Sequence, residues 1–270
     1  MIPAAFDYFR ASSVDEATQL LASHEDAKVL AGGHSLIPLM RLRLAKPAAL
    51  VDINPLEREL SYIRRDNGTL RIGALTRHYQ IEDSDEVKRS LPILAEIASE
   101  VGDLQVRTMG TIGGVLAHAD PAGDYGTLAL MLDAEIKTNR RSIPARDFFV
   151  GLFTTPLGAD ELVTEVAFPV ADGPHKYLKF RRRMFDWAII GVGAQRLDGQ
   201  VRVGVTNAAP TAVRASAVEQ ALASGASPAE AARRVGESID PAADLRGSVE
   251  YKRHLARVLC RRALEQAAGI

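Results

Sequence analysis

Two short glycine-rich turns constrain this chain more than any other feature: Leu30-Ala-Gly-Gly-His-Ser-Leu36 and Met109-Gly-Thr-Ile-Gly-Gly-Val115. The first joins a short apolar strand, Lys28–Ala31, to a short helix that opens at Leu36 and ends near Ala45, before Pro47. A second strand, Ala49–Ile53, closes a strand–turn–helix–strand unit. Glycine lets the backbone turn its N–H groups toward an anion without a Cβ in the way. Successive N–H groups in such a turn form a concave donor cluster suited to phosphate. A diphosphate carries two anionic groups, so two such turns are matched to it. Ser35 and Thr111 add hydroxyl donors beside the glycines. The plainer alternative is that both are tight turns with no ligand. Neither segment reads GxGxxG or GxxxxGK[ST], which disfavours the common dinucleotide and P-loop folds.

The rest of the chain alternates elements without internal repeats. Ser13-Val-Asp-Glu16 is a capping-box pattern that starts a helix with Ala17, Leu20 and Leu21 on one face. Asp66-Asn-Gly68 supplies a hairpin turn between strands at Leu60–Arg64 and Thr69–Ala74. Residues 85–101 read as one amphipathic helix with Leu91, Leu94, Ile97, Ala98 and Val101 inward. Asp124–Leu132 reads as helix, and Ala134–Thr138 and Glu161–Phe168 as strands. Ala171-Asp-Gly-Pro174 is the best boundary. Beyond it, strands at about 176–183, 189–196 and 201–206 predict an antiparallel sheet. Helices follow at about 212–224, at the capping box Ser227-Pro-Ala-Glu230, and from about 249 with Tyr251, Leu255 and Val258 on one face.

Composition excludes several classes. With 47% hydrophobic and 25% charged residues, the chain builds a globular core and is not disordered. Its 33 basic and 34 acidic residues leave a net charge of −1, a poor match for nucleic acid. The single cysteine, Cys260, provides neither a disulfide nor the several thiolates of a zinc ribbon or an iron–sulfur cluster. Cys260 is expected to be a buried small apolar residue. Any electron transfer by this chain therefore needs an organic cofactor. The first ten residues hold no apolar run of signal-peptide length, and no window approaches the roughly 20 apolar residues that span a bilayer. A cytoplasmic chain with no transmembrane segment is expected.

Taken together, the two glycine segments resemble the FAD-diphosphate motifs of the molybdenum-hydroxylase flavoprotein subunits. These are the medium subunits of the carbon monoxide dehydrogenase type, homologous to the FAD domain of xanthine dehydrogenase. Ile2-Pro3, Phe6-Asp-Tyr8, Gly73-Ala-Leu-Thr76, Asp120-Pro-Ala-Gly-Asp124 and Arg261-Arg-Ala263 extend the resemblance over nearly the whole chain. It implies an α+β fold. Residues 1–172 would form a two-part PCMH-type FAD-binding domain, with subdomains of about 1–55 and 56–172. Residues 173–270 would form a C-terminal flavoprotein domain of antiparallel sheet plus helices.

The resemblance also implies a site. Ala31, Gly32, Gly33, His34, Ser35 and Leu36 on the first loop would hold the FAD diphosphate. So would Gly110, Thr111, Ile112, Gly113, Gly114 and Val115 on the second. Val115 stands where the family often has asparagine, so one side-chain contact is lost. Asp124 matches a carboxylate near the flavin ribityl chain, and also reads as the N-cap of the following helix. Trp187 matches an aromatic position near the isoalloxazine, and also reads as a core tryptophan. FAD would be held noncovalently, although His34 occupies a position where some larger flavin oxidases attach it.

Several other patterns carry less. His118, Asp120 and Asp124 read as part of the cofactor loop rather than as metal ligands. Arg41, Arg43 and Lys46 read as a solvated helix face. Arg181-Arg-Arg183 reads as a solvated strand end or a salt-bridging edge. No catalytic constellation of side chains and no metal site declares itself, which suits a chain whose bound flavin does the chemistry. Substrate would be hydroxylated in a large molybdenum-cofactor subunit. Electrons would pass through the 2Fe-2S clusters of a small subunit to this FAD and then to an external acceptor, in a dimer of heterotrimers. Two other readings stay open: a stand-alone flavin reductase similar to UDP-N-acetylenolpyruvoylglucosamine reductase, and a non-catalytic nucleotide-binding scaffold.

Overall fold

The structure, a computed structural model, describes residues 2–267 and contains three sheets. The first holds β1 (Asp7–Arg10), β2 (Ala27–Leu30) and β3 (Ala49–Asp52), all parallel, in the order β1-β3-β2. Between β1 and β2 runs the helix Val14–Ser23, capped by Ser13, whose hydroxyl accepts from the Glu16 N–H at 3.1 Å. The Glu16 carboxylate takes the N–H of Ser12 at 2.7 Å, one residue earlier than the capping pattern predicts. Strand β1 has no apolar alternation and leaves most of its residues exposed. It exists because β3 offers it a free edge.

The second sheet is antiparallel, in the order β4-β5-β8-β6-β7. Its strands are β4 (Ile63–Asp66), β5 (Thr69–Gly73), β6 (Glu135–Thr138), β7 (Ser142–Pro144) and β8 (Val163–Pro169). Asn67 and Gly68 turn between β4 and β5 with φ of 45° and 77°. Two positive values mark the type I′ geometry that Asn-Gly favours. Strand β4 starts later than the sequence suggests, because Glu57–Leu60 forms a helical turn. The expected helix 85–101 is two helices, Asp85–Ser90 and Pro92–Ser99. Proline clashes with an α-helical residue before it, and Leu91 escapes to φ −155°, ψ 67°. Pro92 then starts the second helix, where its missing N–H costs nothing.

The third sheet is antiparallel, in the order β12-β11-β10-β9, built from β9 (His175–Phe180), β10 (Ile190–Leu197), β11 (Gln200–Thr206) and β12 (Val213–Arg214). The expected helix 212–224 divides into β12, which extends the sheet, and the helix Ser216–Ala223. Ser227 and Glu230 form the reciprocal capping box that the sequence predicts. The helix Val249–Ala267 covers the sheet with Leu255, Ala256, Leu259, Cys260, Ala263 and Leu264. Its inner face is rotated from the expected one, since Tyr251 is exposed and Val258 only half-buried. Cys260 is fully buried, and desolvation pushes its thiol up to about 12.

Candidate functional site

A cleft of about 690 Å³ runs past both glycine segments. That volume falls in the upper part of the ligand-site range of roughly 300–1,000 Å³. Its first wall is the loop between β2 and the helix Leu36–Arg41. Gly33 sits there at φ +73°, a backbone region that disfavours any residue with a Cβ. The N–H groups of Gly32, Gly33, His34, Ser35 and Leu36 donate to no acceptor among the described residues. The Ser35 hydroxyl caps nothing either, and His34 is exposed with Nδ1 3.0 Å from the Gly32 carbonyl. Backbone donors are rarely left unpaired unless water or a ligand takes them. Five in succession on a cleft wall form a nest that suits a phosphate group.

The second segment is built differently. It is the start of the helix Ile112–His118, and most of its donors are engaged within the protein. The Ile112 N–H donates to the Thr76 carbonyl at 3.1 Å and that of Gly113 to the Ala74 carbonyl at 2.9 Å. The Gly114 N–H donates to Thr111 Oγ1 at 3.1 Å. A Cβ on Gly113 would lie 2.5 Å from Ala74 Cβ, so this glycine is required for close packing. On Gly114 it would meet only Thr111 Oγ1, at 2.8 Å. Thr111, Gly114 and Val115 line the cleft, whereas the Ile112 side chain is fully buried in the core.

Asp124 lies at the far side. Gly123 is the N-cap of the helix Asp124–Met131, so the capping alternative for Asp124 does not hold. Its carboxylate is almost fully buried. It accepts from the Tyr177 hydroxyl at 2.5 Å and from Lys179 Nζ at 2.8 Å, both on β9. Lys179 Nζ also donates to the Glu100 carbonyl at 3.0 Å. Burial and the neighbouring anion of Asp124 hold the Tyr177 phenol well above its ordinary pKa. Asp124 and Lys179 thus place a paired charge on the cleft wall while tying the C-terminal sheet to the helix Asp124–Met131.

Trp187 is 46% exposed on the segment between β9 and β10, beside Phe185 and Asp186 on the rim. It is not a core tryptophan. The side chain of Arg181 pairs with Glu100 within the chain. Arg41, Arg43 and Lys46 are exposed. No three His, Cys, Asp or Glu residues converge as metal ligands among the described residues. Asp120 accepts the Ala122 N–H at 2.9 Å, while Asp124 turns to β9.

Three contributions to the cleft were not foreseen. Phe153–Val163 supplies a further wall, Lys179 brings the counter-charge of Asp124, and His78 with Tyr125 forms part of the floor. The His78 and Tyr125 ring centroids are 5.2 Å apart. Burial pushes the His78 imidazole down to about 3, so it is neutral at physiological pH. No local motif marks any of these residues. Lys179 has no distinguishing signal either, since β9 reads His-Lys-Tyr-Leu-Lys-Phe with only Tyr177 fully buried.

Comparisons with known proteins identify the family and the fold. The family described as "FAD binding domain in molybdopterin dehydrogenase" matches residues 4–171, and "CO dehydrogenase flavoprotein C-terminal domain" matches residues 175–267. The chain is 40% identical to the carbon monoxide dehydrogenase medium chain of Hydrogenophaga pseudoflava, over 99% of this chain and 98% of that one. It is 37% identical to the glyceraldehyde dehydrogenase medium chain of Sulfolobus acidocaldarius, over 99% and 100%. Among solved structures it is similar to a carbon monoxide dehydrogenase from Hydrogenophaga pseudoflava that lacks the Mo-pyranopterin moiety of its molybdenum cofactor. That match has a TM-score of 0.92 at 40% identity and covers 99% and 98% of the two chains.

Proposed function

Because this chain belongs to the family of FAD-binding flavoprotein subunits of molybdopterin dehydrogenases, we propose that it is the electron-transferring medium subunit of a molybdenum hydroxylase of the carbon monoxide dehydrogenase type. The observation that carries the reading is the run of five unpaired N–H groups from Gly32 to Leu36, on a cleft wall faced by Thr111 and Gly114. Bound FAD supplies the electron exchange that no side chain here can perform.

The residues present fit that cofactor. The first loop takes the diphosphate through its backbone donors and the Ser35 hydroxyl. Thr111 adds a hydroxyl whose proton is free for the ligand, since its oxygen already accepts from Gly114. Gly114 leaves the space the phosphates need. Asp124, paired with Lys179, accepts from ribityl hydroxyls, and Trp187 stands at the flavin end. His34 makes no covalent bond in this reading. Residues 1–172, in halves of about 1–55 and 56–172, form the cofactor module, and residues 173–270 a second module closing the cleft.

One cysteine leaves this chain without clusters of its own. We therefore place it in the cytoplasm with a large molybdenum-cofactor subunit and a small 2Fe-2S subunit, two such heterotrimers pairing. The quoted relatives are chains of larger dehydrogenases, and no observation favours a stand-alone reductase or a scaffold. The test is direct. Purified protein should be yellow with one FAD per chain, and acid should release the flavin into the supernatant. A native pull-down should recover molybdenum and iron in partner chains. A colourless chain, or a fully active monomer holding flavin alone, would refute the proposal.

A further inference from the structure

Behind the two loops lies a chain of polar contacts centred on Asn54 and Arg77, neither of which lines the cleft. The Asn54 amide donates from Nδ2 to the Ala31 carbonyl of the first loop at 2.9 Å and to Asp52 Oδ1 at 2.6 Å. Its Oδ1 accepts from the Arg77 guanidinium at 2.6 Å. The other arm of Arg77 donates to the Met109 carbonyl, at the head of the second loop. That same peptide packs on Gly32, where an added Cβ would lie 2.8 Å from the Gly110 Cα. The Tyr8 hydroxyl holds the second oxygen of Asp52. One amide and one guanidinium thereby join the loop after β2 to the turn that precedes the helix Ile112–His118.

Arg77 is unusual in charge as well as in position. It is 7% exposed, and no carboxylate pairs with it among the described residues. Both of its side-chain acceptors are neutral, and Asp52 is reached only through the Asn54 amide. Burying a cation without a counter-ion is costly. A protein that keeps one beside two loops, one of them rich in unpaired N–H groups, has an anion as its natural complement.

We propose that Asn54 and Arg77 are positioning residues for the diphosphate: they fix the separation of the two glycine loops and hold a buried positive charge behind them. The inference rests on the FAD reading and goes beyond it, because neither residue lines the cleft. The structure thus makes phosphate affinity depend on a contact between the two halves of the cofactor module.

The experiment is a flavin titration of the full-length apo-protein, read by fluorescence quenching, with thermal unfolding of the apo-protein in parallel. Arg77→Gln removes the charge, Arg77→Lys keeps it without the fork, and Asn54→Ala cuts the link. FAD affinity should fall about 100-fold in Arg77→Gln and about tenfold in Arg77→Lys. Competition with ADP and adenosine separates a phosphate role from a structural one. Arg77→Gln should weaken ADP by a factor similar to that for FAD and leave adenosine within about threefold of wild type. Asn54→Ala with Arg77→Gln should lose less than the sum of the single losses. Equal losses for ADP and adenosine, or wild-type FAD affinity in Arg77→Gln, would overturn the proposal while the FAD reading stands. A wild-type chain that takes up no FAD would overturn both.

Discussion

Replacing Gly113 and Gly114, one at a time, by alanine separates two roles that the sequence makes look alike. In Gly113→Ala the new methyl would sit 2.5 Å from Ala74 Cβ and 2.8 Å from the Ala74 carbonyl oxygen. Real contacts of this kind are wider, so the helix Ile112–His118 must move away from the end of β5. Overpacking of this sort costs about 1–3 kcal/mol. The 2.9 Å bond from the Gly113 N–H to Ala74 lengthens with it, at about 1 kcal/mol. Alanine's helix preference over glycine returns about 1 kcal/mol. The net is a loss of about 2 kcal/mol, or an unfolding midpoint lowered by about 4–8 °C for a chain of this size. In Gly114→Ala the methyl meets only Thr111 Oγ1, at 2.8 Å, and otherwise points into open space. Its apo-protein should melt within about 2 °C of wild type, and its FAD affinity should fall more than that of Gly113→Ala at a temperature where both are folded. The assay is thermal circular dichroism of the apo-proteins with flavin titration of each. A Gly113→Ala protein as stable as wild type, or a larger stability loss in Gly114→Ala, would refute the reasoning.

Three further outcomes follow from the same geometry. Lys179→Met leaves the buried Asp124 anion without its ion pair and should cost about 3–5 kcal/mol in urea unfolding, most of it recovered when Asp124→Leu is added; additive losses would contradict the pairing. His78 has a folded pKa of about 3 against an ordinary value of 6.5, so the unfolded chain takes up the proton first as pH falls. Its contribution is complete above pH 6.5 and is lost progressively toward pH 3, at up to about 1.4 kcal/mol per pH unit. The pH dependence of stability in His78→Phe should be shallower than wild type by that slope, and identical slopes would show that the histidine is not buried as described. Trp187 is the single tryptophan and lines the cleft, so FAD binding should quench the protein's tryptophan emission and acid release should restore it. Unchanged emission in a protein shown to hold FAD would place the indole away from the flavin.

The sequence by itself determined what depends on neighbours within a few residues. Ser13 and Ser227 as helix caps, the Asn67-Gly68 hairpin and the positive φ at Gly33 follow from local backbone chemistry and are present in the fold. The break at Leu91 was also visible, in Pro92, but the apolar periodicity across it is helical on both sides and hides it. Tertiary structure decided the rest, because whether a polar group is free depends on what distant segments bring to it. The two glycine segments look equivalent in sequence. Only the fold puts the Ala74 and Thr76 carbonyls against the second and leaves the first unpaired. Asp124 looks like a cap until β9 delivers Tyr177 and Lys179 to it. Arg77 carries no signal in the sequence, and only the fold buries it between Asn54 and the Met109 carbonyl behind both loops.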